Sequence, residues 1–139
     1  MTEFSKRLVC AINEKLETGK AMNALSHAMF GFAANMKNKK EGRFNKYVDA
    51  DGSEHNNISE MPNVVLRAGS NKIRKLRQQA IEKGIEFVDF TDTMSIGTYD
   101  EEYELMRKTK DEHLEYWAIV LFGDATEITD RTGKLSLYR

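Results

Sequence analysis

Three polar side chains that could act together on an anion share one stripe of a predicted helix near the start of the chain. Lys20, Asn23 and His27 are spaced by three and four residues, which places them on one helix face. Lys20 lies in the expected first turn, where free backbone N–H groups and the helix dipole favour negative charge. An amine, an amide and an imidazole in this order could bind a carboxylate or phosphate, or could polarise an ester and activate water.

A carboxylate and a hydroxyl that follow a later strand are candidates to complete this site. Asp92 and Thr93 come after the apolar run 85–90, and ligands of parallel α/β sheets gather outside the carboxyl ends of the strands. Asp89, within the run, is a weaker candidate. The candidate set has a catalytic part and a ligand-binding part: Lys20, His27 and Asp92 in the first, and Gly19, Asn23 and Thr93 in the second.

Each of these residues also has a purely structural interpretation. Lys20 fits a solvated turn, His27 fits a packed and hydrogen-bonded position, and Asp92 fits a turn or a cap. Ser26 points about 100° away from His27 on a regular helix, so a nucleophilic Ser-His pair is not expected.

Strands and helices alternate along the chain. Apolar runs predict strands at 8–12, 63–69, 85–90 and 117–123. Helices are predicted from Gly19-Lys20 to about Met36, over 71–83 and after Thr98, with a stop at Gly84 and a capping box from Thr98 to Glu101. The segment 49–60 is expected to be a polar loop, and the tail a short hairpin turning at Gly133. This order predicts one domain over 1–139: a three-layer α/β/α sandwich with a small mixed, mostly parallel sheet of about four strands.

The first helix has two unlike sides. The apolar side carries Met22, Leu25, Met29, Phe32 and Met36. The opposite side carries small residues, among them Ala24, Gly31 and Ala34, beside the polar stripe. Small residues predict that another body approaches this side closely, and a second helix, a partner chain and a ligand all fit.

Composition excludes several classes of protein. The chain has 139 residues and a formal net charge of −1, which offers no global field for nucleic acid or membrane. The basic run 72–77 fits a solvated helix face better than an RNA contact. The single cysteine, Cys10, lies in an apolar run and is expected to be buried and inert. No signal peptide or membrane-length stretch is found, so a cytoplasmic protein is expected.

No cofactor or metal is expected from the sequence. The three histidines, His27, His55 and His113, lie far apart and have no paired cysteines. The segment 49–60 has acids at some positions of a calcium loop, but its glycine stands at position four instead of six. An ordinary polar loop explains the segment better.

Two short motifs resemble a known fold family. Gly19-Lys20 followed by Ser26-His27-Ala28 is similar to the opening of type II peptidyl-tRNA hydrolases, and the ending Thr132-Gly133 with Leu135 and Leu137 is similar to their final segment. The long helix after Thr98 and the position of Asn23 resemble instead a group of small bacterial proteins, the domain of unknown function numbered two thousand, which is assigned to the same fold. The resemblance implies a type II peptidyl-tRNA hydrolase-like fold.

The activity transfers less well than the fold. The hydrolases carry lysine just before the Gly-Lys pair and a glutamine on the helix, where this chain has Glu17-Thr18 and Ala24. Losing cationic groups weakens a site for a phosphodiester backbone. Fold alone does not fix activity.

Three functions remain open from the sequence. The preferred one is binding of a small anionic or acyl ligand near the start of the first helix. The second is hydrolysis of peptidyl- or aminoacyl-tRNA esters, with Lys20 holding phosphate or oxyanion, His27 moving protons and Asp92 orienting the base or water. The third is a structural or regulatory homodimer formed through the small-residue side of the first helix. A homo-oligomer is expected, and tRNA is kept as a partner that is not favoured.

Overall fold

The central sheet has four strands in the order β4-β1-β6-β5. The protein is described by a computed structural model, which covers residues 4–139. The strands are β1 (Lys6–Asn13), β2 (Phe44–Val48), β3 (Glu54–Ser59), β4 (Asn63–Ala68), β5 (Glu86–Thr91) and β6 (Tyr116–Asp124). The helices are α1 (Thr18–Asn35), α2 (Ser70–Lys83), α3 (Tyr99–Lys108) and α4 (Ala125–Thr132), with short 3₁₀ turns at Lys39–Gly42, Asp92–Met94 and Asp111–His113.

The sheet is mixed, as predicted. Strand β1 pairs with β4 in parallel and with β6 antiparallel, and β6 pairs antiparallel with β5. Three of the four strands, β1, β4 and β5, therefore run in one direction, although only one neighbouring pair is parallel. Their carboxyl ends meet the start of β6 at one edge, which is where α1 begins.

Helices cover both faces of the sheet, which confirms the α/β prediction and gives three layers. Along β1 the side chains alternate, so that Val9 and Ala11 join the cluster under α2 and α4, whereas Cys10 and Ile12 join the cluster under α1. Cys10 has no exposed area, as expected from its place in a strand covered on both sides.

Helix α1 packs on the sheet through small residues as well as through part of its apolar side, since Leu25 and Met29 are partly buried against the same cluster. The buried positions are Ala21, Ala24, Ala28 and Phe32, whereas Met22 is 64% exposed. Gly31 also faces the sheet, because a Cβ at that position would lie 3.6 Å from Val88 Cγ1. The body that approaches Ala24 and Gly31 closely is thus the sheet itself, and α1 lies low on it, whereas Ala34 is exposed.

Two segments differ from the sequence prediction in their secondary structure. The expected polar loop contains strand β3, which pairs with β2 in a separate two-stranded sheet. Asp49 builds the turn, since its Oδ1 accepts hydrogen bonds from Asp51 N and Ser53 N, and Gly52 adopts a φ of 81°. The hairpin was not visible in the sequence because nearly all of its residues are exposed, so no buried alternation marks it.

The expected hairpin at the chain's end is instead helix α4. Asp124 caps it by accepting hydrogen bonds from Thr126 N and Glu127 N, and Ile128 and Thr132 are buried one turn apart. Gly133 has a right-handed helical conformation at the C-terminal end of α4 and forms no hairpin turn. Beyond it, Leu137 pairs with Leu66 on β4.

The helix ends agree with prediction more closely. Helix α1 ends at Asn35, next to the expected Met36, and Gly84 terminates α2 with a φ of 67°. Thr98 Oγ1 accepts a hydrogen bond from Glu101 N at the start of α3. Ser70 is the first residue of α2, one residue before the predicted start, and its Oγ accepts a hydrogen bond from Tyr116 N.

Candidate functional site

The start of α1 presents backbone donors and a cation to the surface. The cap residue Glu17 makes no side-chain hydrogen bond to the helix, and the first intrahelical bond runs from Ala21 N to Glu17 O. The N–H groups of the first turn therefore keep their capacity for an acceptor. Gly19 and Lys20 are both exposed, and no atom lies within 4 Å of a Cβ built at Gly19. This end of α1 is open to an anion.

Lys20 lies against an aromatic ring that the sequence did not assign to the site. Its Nζ is 5.8 Å from the centroid of the Trp117 ring, within the range of a cation–π contact. Trp117 is the chain's single tryptophan and stands at the start of β6, at the edge of the sheet where α1 begins. Within residues 4–139 the buried Trp117 Nε1 has no hydrogen-bond partner, so this donor is unused.

His27 belongs to the same group of rings. It stacks on Phe90, with 5.3 Å between ring centroids and 24° between planes. Phe90 in turn lies 6.0 Å from Trp117. Phe90 is 5% exposed, Trp117 is half-buried and His27 is exposed, so Phe90 joins the two outer rings from below. Lys20, Trp117, Phe90 and His27 form what we call the aromatic row.

Asn23 is exposed on the same stretch of α1, between Lys20 and His27. Ser26 is not part of the group, because its Oγ donates a hydrogen bond to the carbonyl of Met22 one turn back. The structure thus brings Lys20, Asn23 and His27 to one surface, about 10 Å long along the helix axis.

Asp92 and Thr93 have other partners. Asp92 Oδ1 accepts a hydrogen bond from Glu115 N, and Asp92 N donates to Glu115 O, so this residue ties the end of β5 to the segment before β6. Thr93 is 3% exposed, and its hydroxyl lies 2.8 Å from Thr91 Oγ1. Across residues 4–139, no hydrogen bond or ion pair joins Asp92 to His27.

The basic run of α2 is divided between two environments. Arg74 donates to the carbonyls of Asp111 and Leu114, and Arg77 Nε lies 3.0 Å from Asp89 Oδ1, so both arginines are engaged with other parts of the fold. The lysines of the run, Lys72 and Lys75, take no part in these contacts. The two arginines of the run therefore have a structural role, whereas the sequence predicted a solvated helix face for the whole run.

Burial governs the ionisation of this cluster. Burial raises the pKa of Asp89 above its ordinary value, and the Arg77 guanidinium offsets part of that increase. Burial and the hydrogen bond that Tyr116 OH donates to Asp111 raise the pKa of the phenol as well. The carboxylates of Asp89 and Asp111, the Tyr116 phenol and the two arginines satisfy one another's charges and hydrogen bonds, which leaves little capacity for a ligand.

Trp117 and Phe90 are the residues that sequence reasoning did not place at the site. A signal for both existed, since each stands where a strand meets the ligand-binding edge of an α/β sheet. Their proximity to Lys20 and His27 depends on which residues of α1 face the sheet, and the sequence analysis left open what approaches the small residues.

Two classes of site are not seen in the part of the chain that the structure covers. Residues 4–139 contain no cluster of three or more His, Cys, Asp or Glu side chains arranged to hold a metal ion. Over the same residues, no helix has the length and apolar character needed to cross a membrane.

Comparison with known proteins places the chain among uncharacterised relatives. No curated protein matches it. Its fold is similar to that of a solved protein of unknown function, Atu0240 from Agrobacterium tumefaciens strain C58, with a TM-score of 0.84 over 99% of this chain and 100% of the other at 19% identity. The family model described as "Protein of unknown function (DUF2000)" matches residues 6–139. The chain therefore belongs to the DUF2000 family.

Proposed function

We propose that this protein binds a small anionic ligand at the start of α1, in which a carboxylate or phosphate is joined to a flat or acyl group. The observation that carries the proposal is the contact between the Lys20 ammonium and the Trp117 ring beside the open first turn of α1. The cation and the free N–H groups favour the anionic end of such a ligand. The aromatic row offers the surface for its apolar end.

Each polar residue of α1 has a separate role in this proposal. Lys20 supplies charge at the helix start, while Asn23 supplies an amide that donates and accepts hydrogen bonds one turn further on. His27 closes the far end of the surface with an exposed ring held by Phe90. No ion pair within residues 4–139 includes Lys20, so its charge is available to a ligand.

The hydrolase alternative has weaker support. A proton shuttle at His27 needs a partner that orients the ring and the water, and Asp92 was the predicted partner. Its carboxylate instead accepts a hydrogen bond from Glu115 N. An ester bound on the aromatic row would have Lys20 to stabilise its oxyanion. Asp92 would not activate the attacking water, which would have to react without a general base beside His27. We therefore favour binding over catalysis.

The homodimer alternative now needs a different surface. The small residues Ala24 and Ala28 are buried against the sheet and are not free for a second chain. The outer side of α1 carries Phe30, which is 84% exposed, and Met22. These two residues are the surface that a dimer through α1 would use.

The single tryptophan provides the test. Fluorescence of Trp117 is titrated with acetate, inorganic phosphate, benzoate and phenylacetate, in wild type and in Lys20→Gln. We expect saturable quenching, strongest for the aromatic carboxylates, and at least tenfold weaker binding in Lys20→Gln, because a hydrogen bond to a charged group contributes about 1.5–3 kcal/mol.

Lys15→Gln is the matched control, since Lys15 is an exposed lysine just before α1. Equal weakening in both variants would reduce the effect to general surface charge and would contradict the proposal. Salt-dependent binding of tRNA that requires Lys20 would favour the hydrolase alternative instead. Sedimentation of wild type against Phe30→Arg separates the dimer from both.

A further inference from the structure

A cavity lies at the opposite end of α1 from the aromatic row. It has a volume of about 370 Å³ and is enclosed by the C-terminal half of α1, the base of the β2–β3 hairpin and the sheet. The helix contributes Met29, Phe32 and Ala33 to its wall, and Met36, just after the helix, adds to it. Its volume falls within the roughly 300–1,000 Å³ of small-molecule sites.

The lining of this cavity is apolar and uncharged. None of the residues that line it is ionisable. Phe44 and Ile58 close it from the hairpin, and Phe122 and Met61 contribute from the body. Such a surface penalises a charged ligand, because the charge would lose its hydration without gaining a counter-ion.

Two amide side chains add a polar element. Asn57 and Asn63 both line the cavity and are exposed, so they stand where it opens to solvent. Asn63 Oδ1 accepts the weak Cys10 thiol donor at 3.4 Å, while Asn63 Nδ2 has no acceptor within residues 4–139. A carbonyl or hydroxyl oxygen is the group that this N–H donor fits.

Hydrogen bonds fix the hairpin base that forms one wall of the cavity. Ser59 Oγ donates to the carbonyl of Gly42 and accepts from Met61 N, and Glu60 N donates to Arg43 O. The Phe44 ring packs on Gly42 so closely that a Cβ at position 42 would clash with the ring. The aromatic wall therefore depends on a residue without a side chain at position 42.

We infer that this cavity binds a neutral, mostly apolar small molecule that carries a single carbonyl or hydroxyl oxygen. The uncharged lining selects against anions and cations, the volume suits a small molecule, and the Asn63 amide accounts for one polar group. Three methionines, Met29, Met36 and Met61, allow the walls to adapt to the ligand's shape. The site is distinct from the aromatic row, which takes an anion at the other end of α1.

The probe for this site is 6-propionyl-2-(dimethylamino)naphthalene, a neutral dye that carries one carbonyl oxygen and whose emission rises and shifts to the blue in apolar surroundings. It is titrated into wild type, Ala33→Phe and Ala34→Phe. Ala33 lines the cavity and Ala34 is its exposed neighbour on the same helix, so the pair differs only in which side of α1 is filled. We expect at least tenfold weaker binding in Ala33→Phe and unchanged binding in Ala34→Phe.

A second pair of variants guards against loss of folding in Ala33→Phe. Ile58→Asp brings a charge to the cavity wall at a position that is 58% exposed, and Val48→Asp brings the same charge to a hairpin position that is 63% exposed and does not line the cavity. We expect weaker dye binding in Ile58→Asp and unchanged dye binding in Val48→Asp. Equal binding in all four variants would overturn the inference.

Methionine methyl resonances locate the dye. With ¹³C-methyl methionine, the signals of Met29, Met36 and Met61 are expected to shift on titration, while those of Met22 and Met106 stay in place. Shifts at Met22 alone would put the dye on the outer side of α1 and would overturn the inference. So would a dimer, seen by sedimentation, whose formation abolishes dye binding, because the occupant would then be a second copy.

Discussion

Replacement of Ala24 by leucine should destabilise the protein, because α1 lies directly on the sheet at this position. Ala24 has no exposed area and packs within the cluster that includes Cys10, Ala118 and Phe122. Leucine adds three heavy atoms to a site with no free room. Overpacking of a core costs about 1–3 kcal/mol, which for a domain of this size lowers Tm by roughly 3–12 °C. The displaced helix would also carry Lys20 away from Trp117.

Urea unfolding followed by circular dichroism measures this cost. Ala34→Leu is the matched control, since Ala34 is exposed on the same helix and its substitution should change the free energy of unfolding by less than about 0.5 kcal/mol. Both variants add the same side chain and the same helix propensity. Equal stability of Ala24→Leu and wild type would refute the placement of the small residues against the sheet.

Three further predictions concern buried and capping groups. Arg77→Met should destabilise by less than the roughly 3–5 kcal/mol of a fully buried pair, since Arg77 is 34% exposed. The raised pKa of Asp89 means that the folded state favours its protonated form, so the contribution of this carboxyl to stability falls as pH rises through that pKa. The loss of stability in Arg77→Met should therefore be larger at pH 7 than at pH 4 in urea titrations. A pH-independent loss would contradict this. Burial raises the pKa of Cys10 to about 12, so thiol reagents at pH 8 should label it only at the rate of unfolding, and rapid labelling of the native protein would refute that burial. Thr98→Ala removes the cap of α3, a helix in which no residue is buried. Amide hydrogen exchange should therefore become faster over 99–102, with little change in the free energy of global unfolding. Global destabilisation would show instead that α3 is coupled to the core.

Much of the fold could be predicted because its signals are local and strong. The apolar runs of β1 and β6 are covered on both faces, so they stand out as continuous hydrophobic segments. Gly84 and Thr98 mark helix boundaries through backbone conformation and capping, which depend on few neighbours. The β2–β3 hairpin lacks such signals because it is exposed, and α4 was missed because its buried face is limited to Ile128 and Thr132.

The candidate site was predicted in part. Lys20, Asn23 and His27 share a surface because helix geometry alone fixes their spacing. Phe90 and Trp117 come from strands far along the chain, and their contact with α1 depends on which helix side packs on the sheet. Hydrophobicity alone favours the methionine side of α1, and the sequence left open what approaches the small residues. Close packing favoured alanine instead, because a small residue lets the helix approach the sheet.

The indole N–H resonance of Trp117 tests the central proposal most directly. In a ¹⁵N-labelled sample it is a single signal, because the chain has one tryptophan. The proposal predicts that this signal shifts and saturates with added phenylacetate, that Lys20→Gln loses the shift, and that Lys15→Gln retains it. An indole signal that does not move under any of the anions, while backbone amides elsewhere on the surface do, would contradict a binding site at the start of α1.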